Sequence, residues 1–183
     1  MSDYPKMDSP TSEGVGADWP AAPTEYDAAL GLVASGVTLV TVADGREDVG
    51  VTVSAFCAVS REPALILISL VGDSYPAELL TRLDQFAVTL LGSGQRMLAG
   101  RFAASGRPGA RLLLDDVPHH RGSISGALIP DGGLAALECA AVRRVPAGDH
   151  LLVIAHVLFV AYVKEAGDPL IRFGGRYPAL ARG

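Results

Sequence analysis

At 183 residues, the chain fits one domain, large enough to bury a core without help from metals or disulfides. A formal net charge of -5 and a pI near 5.3 exclude long-range attraction to nucleic acid. Apolar residues make up 49% against 19% charged, with mean hydropathy +0.32, so part of the apolar surface is expected to lie between subunits of an oligomer.

Residues 1–23 are polar, carry Pro5, Pro10 and Pro20, and contain no apolar segment of a secretory signal. They are expected to form a disordered leader before a domain spanning 24–183. Thr24 is a plausible N-cap for a helix in which Tyr26, Ala29, Leu30 and Val33 recur at helical spacing until Gly36. A strand over Val37–Ala43 and its partner over Val49–Phe56 flank the turn signal Asp44-Gly45, with Arg46 to Asp48 as solvated continuation. In the second strand Thr52 and Ser54 alternate with Val51, Val53 and Ala55, which points both hydroxyls to one face. Small polar groups there, where a buried strand would carry bulk, suit a polar ligand.

Pro63 breaks the chain before Ala64–Leu70 resumes as a buried strand. The loop from Val71 to Pro76 then leads into a helix over Ala77–Leu83, with Pro76 suited to the first turn and loop N–H groups near the helix start. Phe86–Leu91 reads as a strand and Gly94–Ala104 as a helix, with Met97, Leu98, Arg101 and Phe102 on neighbouring faces. Ser105–Gly133 is rich in Gly, Pro and charge, a long irregular connection with at most short pieces of structure, of the length that tends to carry function. Leu134–Val145 and Leu151–Val163 form two long strands around a Pro-Ala-Gly-Asp turn, before a short strand at Leu170–Phe173. The run Leu151–Val163 is too short to cross a bilayer as a helix. Six or seven strands with few helices, mostly joined as hairpins, give a mainly β chain and an antiparallel barrel.

Cys57 and Cys139 lack CxxC spacing and a secretory leader, which favours thiols in the reducing cytoplasm. His119-His120 are adjacent and have no third ligand at a recognisable spacing, so no metal site is expected. No Gly-x-Gly-x-x-Gly fingerprint and no hydrolase triad is present.

Nine segments occur in one order: Ala34-Ser-Gly-Val-Thr38, Gly50-Val-Thr-Val-Ser-Ala-Phe56, Val59-Ser-Arg-Glu-Pro63, Asp73-Ser-Tyr-Pro76, Gln85-Phe-Ala-Val88, Arg101-Phe-Ala103, Leu137-Glu-Cys139, Ala147-Gly-Asp-His150 and Gly175-Arg-Tyr177. In these the chain resembles, from about Tyr26 to Leu180, the short-chain flavin reductases of two-component monooxygenases, built on the FMN-binding split barrel. It departs from that pattern in having Ala64 after Pro63 and in the 105–133 loop, which holds His119-His120.

The resemblance implies a homodimeric, antiparallel Greek-key split barrel that reduces FMN or FAD with NADH or NADPH and releases the reduced flavin to a separate oxygenase. It also implies roles for particular residues. Thr52, Val53, Ser54, Ala55 and Phe56 would hold the flavin's pyrimidine edge and ribityl chain, where donors stabilise negative charge on the reduced ring. Ser69, Asp73 and Ser74 would line a phosphate cradle, with Arg101 beside Phe102 as its cation, since a guanidinium grips two phosphate oxygens. Asp149, His150 and Tyr177 would meet the nicotinamide. No catalytic side chain is implied, because hydride passes from nicotinamide C4 to flavin N5. Two other readings share the fold: a flavin- or haem-binding carrier or sensor, and a deazaflavin-dependent or pyridoxine-phosphate-oxidising relative. Flavin retained through purification with negligible NADH oxidation would favour the carrier.

Overall fold

The computed structural model describes residues 23–45 and 48–180, so the leader expected over 1–23 lies, but for Pro23, outside the described residues. Its elements in chain order are α1 (Pro23–Gly31), β1 (Ser35–Gly36), β2 (Thr38–Val42), β3 (Val49–Val53), β4 (Phe56–Arg61), β5 (Ala64–Val71), α2 (Tyr75–Arg82), β6 (Gln85–Leu90), a 3-10 turn (Ser93–Gln95), α3 (Arg96–Ala103), α4 (Ala110–Leu113), β7 (His119–Arg121), β8 (Leu128–Pro130), β9 (Ala135–Ala147), β10 (His150–Val163) and β11 (Ile171–Arg172).

Seven strands form one antiparallel sheet in the order β3-β2-β6-β9-β10-β5-β4. Two edges therefore remain, and the strands on them are consecutive in the chain. The run expected as one strand over Val49–Phe56 is broken: β3 ends at Val53, the chain bends through Ser54-Ala55, and Phe56 starts β4, which pairs with β5. One backbone bond, Ser69 N–H to the Ala55 carbonyl at 3.0 Å, holds the bend against β5. This is the architecture of a barrel left open along one seam.

Alternation along the strands divides the apolar residues between two cores. Val40, Ile68, Phe86, Val88 and Val153 pack inside the curved sheet, and Leu79 and Leu80 of α2 close one end. Leu39, Leu91 and Val37 pack on the outer face under Leu98 and Phe102 of α3 and Ala110 of α4. Each fully buried side chain of this kind contributes roughly 1.5–3 kcal/mol, which fixes α2 on the one core and α3 on the other.

Two further expectations are corrected here. The first helix stops at Gly31, short of Gly36, because Ser35-Gly36 pairs with Ile171-Arg172. Its Tyr26 and Leu30 lie exposed and pack on neither core. Asp48, expected in a solvated turn, is 1% exposed with φ 49°, and its carboxylate takes hydrogen bonds at 2.7 Å from Arg111 Nε and from an Arg121 Nη. Burial alone would raise this carboxyl, but the hydrogen bonds and charge of Arg121 and Arg111 outweigh it and hold the pKa below its ordinary value. The 105–133 stretch holds only short pieces of structure, as expected, namely α4 and the β7–β8 hairpin, and one buried carboxylate ties it to the sheet. Glu138 on β9 is fully buried and accepts from the N–H groups of Ser123, Ile124 and Ser125 and from the Ser123 and Ser125 hydroxyls, at 2.6–3.2 Å.

Candidate functional site

The seam between the two sheet edges opens into a cleft of about 500 Å³. Its floor is the free edge of β3. The Asp48 carbonyl accepts from Ala110 N–H and the Gly50 carbonyl from Arg107 Nε, both at 2.8 Å and both away from β2. The Val53 carbonyl faces β2, where it accepts from the Thr38 hydroxyl at 2.8 Å. Main-chain groups alternate along an antiparallel strand, so Thr52 belongs to the outward series and directs its N–H and C=O into the cleft. An unpaired edge of this kind must find partners in water or in a ligand.

Of the residues expected to form the site, Thr52 to Ala55, Ser69, Ser74, Phe102, His150 and Tyr177 line this one cleft. Phe102 reaches it from α3 across Gly50, where a Cβ would meet the phenyl ring at 2.4 Å. Glycine at position 50 is thus what lets α3 approach the floor. Ser74 caps α2, with its hydroxyl accepting from Ala77 N–H at 3.4 Å and donating to the Val71 carbonyl at 2.6 Å.

Four expected residues lie off the cleft. Phe56 packs against the inner core. Asp73 lines a separate groove with Gly148 and Asp149, and the Asp149 carboxylate meets His150 Nδ1 at 2.7 Å, a contact that draws its pKa down. Asp149 therefore acts on the cleft by holding the His150 ring. The Gly72 N–H, donating to the Asp149 carbonyl at 2.8 Å, ties the two turns together.

Arg101, expected as the phosphate cation, is the clearest correction. Its guanidinium faces away from the cleft, pairs with both oxygens of Asp116 and donates to the Leu113 carbonyl at 3.2 Å. The cation in the cleft is Arg107, which sequence reasoning did not single out. It donates to the Gly50 and Ala104 carbonyls and has no carboxylate partner among the described residues. Burial pushes its pKa down, the mark of a positive charge short of solvent and counter-charge. A second missed cation, Arg172, enters from β11 near Tyr177, whose ring lies 5.8 Å from the Arg96 guanidinium. No group of three or more His, Cys, Asp or Glu capable of holding a metal occurs among the described residues.

The cleft thus offers outward backbone donors and acceptors, apolar walls from Val51 and Phe102, and arginines with no acidic side chain in the lining. Those features fit a planar heteroaromatic carrying an anionic tail. Comparison with known proteins agrees. Residues 30–181 match the family model described as "Flavin reductase like domain". The chain is 35% identical over 157 residues to an NADH-dependent FMN reductase of Streptomyces nodosus subsp. asukaensis, covering 86% of this chain and 84% of that one. It is 34% identical over 155 residues to the reductase component of 4-hydroxyphenylacetate 3-monooxygenase from Thermus thermophilus, covering 85% and 95%. Among solved structures, an NADH:FAD oxidoreductase of Streptomyces globisporus, in complex with NAD and FAD fragments, superposes with TM-score 0.80 at 34% identity, covering 86% of this chain and 92% of that one.

Proposed function

The chain belongs to the flavin reductase-like family, and from that membership we propose that it is an NADH-dependent flavin reductase whose reduced FMN or FAD serves a separate oxygenase component. The observation that carries the reading is the open seam: the β3 edge that no strand pairs, the Arg107 cation with no carboxylate partner among the described residues, and His150 with Tyr177, all lining one cleft.

Bound flavin supplies a ring that accepts hydride. The chain's own part is to hold two flat molecules together in a dry place. Thr52 and the Ser54-Ala55 bend would hold the pyrimidine edge through main-chain groups, while Ser74 and Arg107 would take the phosphate. Val51 and Phe102 exclude water from one face. On the other, His150, steadied by Asp149, and Tyr177 would receive the nicotinamide. Arg107 here takes the role expected for Arg101.

The protein also fits a homodimer. The edge strand β4 exposes Cys57, Ala58 and Val59 in succession, and β10 exposes Leu158, Phe159 and Val160. Exposed apolar residues of that kind on a sheet suit subunit contact. No helix of the described residues is long and apolar enough to cross a membrane, and a requirement for NADH suits the cytoplasm.

The test is NADH consumption with FMN or FAD at a concentration far below that of NADH. Many turnovers per flavin are expected. Binding of flavin without turnover would replace this reading with that of a carrier.

A further inference from the structure

A second cleft, of about 410 Å³, adjoins the first, and the two share Ser74 and Arg107. Its size is that of a ligand site in its own right. Tyr75 and Pro76 from the start of α2 form one wall, and Ser105, Pro108 and Gly109 from the loop after α3 form the other. Arg107, at the junction, is the only charged side chain in its lining. The Tyr75 ring is 49% exposed, with its hydroxyl 3.3 Å from Asp44 Oδ2. An occupant of this cleft should therefore be uncharged and flat, and linked through an anionic group at Arg107 to whatever fills the first cleft.

FMN ends at its phosphate and would stop at the junction. A diphosphate continues past it. Resting on the flavin reading above, we propose that the second cleft receives the adenosine end of FAD, with Arg107 between the two phosphates, so that this chain prefers FAD to FMN. Tyr75 then offers its ring face to the adenine, the sequence-tolerant stacking that nucleobases make with aromatic side chains.

Titration of the full-length protein with FMN, FAD and riboflavin, followed by flavin fluorescence, tests this together with Tyr75→Ala and Ser105→Trp, the latter placing bulk in the second cleft alone. The expected result is FAD bound at least about tenfold tighter than FMN by the parent protein. Both variants should lose about that factor for FAD and leave FMN unchanged, which also shows that they fold. Equal affinity of the parent for FMN and FAD, with NADH turnover intact, would overturn this inference and leave the reductase reading standing. Equal losses for both flavins in the variants would also overturn it, by showing that the second cleft supports the site only indirectly. Failure of the parent to bind any flavin would overturn both.

Discussion

Two arginines six positions apart carry different burdens, and the difference can be measured. Arg101 is paired with Asp116 on the surface, where solvent screens the attraction. Arg107 is half-buried, donates to two carbonyls and has no carboxylate partner among the described residues. Arg107→Ala should weaken FMN binding about tenfold or more, the cost of one charge-assisted hydrogen bond, and leave riboflavin unaffected. Arg101→Ala should change both within about twofold. A loss of the FMN preference in the Arg101 variant would return the phosphate role to that side chain. Gly50→Ala should cost about 1–3 kcal/mol by driving Phe102 from the cleft wall, read as a fall in thermal midpoint together with weaker flavin binding. The sequence showed both arginines equally well. Which one turns inward is decided by Asp116, fifteen positions from Arg101, and no local pattern reveals that pairing.

At the scale of elements, Glu138 converts a glycine- and serine-rich stretch into a fixed part of the structure. Burial would raise its carboxyl, but the donors of Ser125, Ile124 and Ser123 prevail and hold it below the ordinary value, as the arginines do for Asp48. A carboxyl depressed in the folded state contributes stability that is complete above its unfolded pKa, about 4, and is lost as pH falls through the lower folded value. The thermal midpoint should hence be flat from pH 7 to 5 and fall below about pH 4. Glu138→Gln should cost about 3 kcal/mol at pH 7, since it leaves a cluster of buried donors facing an amide, and it should flatten the acid limb. An unchanged acid limb would assign that slope to other carboxyls. Elements with a buried face were legible in the sequence: β2, β5, β6, β9 and β10 lie where apolar runs place them. The β4 strand was missed because its residues are mostly exposed and show no alternation, and β7 and β8 because three-residue strands leave no period to read.

For the whole molecule, the exposed apolar strip along β4 and β10 has a direct readout. Light scattering should give a dimer at micromolar concentration, and Phe159→Glu should shift it toward monomer. A parent protein that stays monomeric and still turns over would contradict both the dimer and any sharing of the cleft. Cys139 is buried in the inner core, where burial and the neighbouring Glu138 push its thiol up to about 12. It should resist alkylation at pH 8 until the protein unfolds, leaving at most one reactive thiol in the native state.

No strand pairs β3 on its cleft side, and the bend that follows it is tied to β5 through the Ser69–Ala55 bond, which gives the sheet a built-in weak line. An edge without a ladder opens more often than a paired strand, so the amide protons of Thr52 and of the Ser54-Ala55 bend should exchange with solvent much faster than those of β6 or β9. A flavin lying along that edge would act as the missing rung and slow the same protons. Cofactor residence and local breathing of the sheet then become one quantity. The protein would let go of its reduced product through fluctuation of this line, with no need for a moving domain.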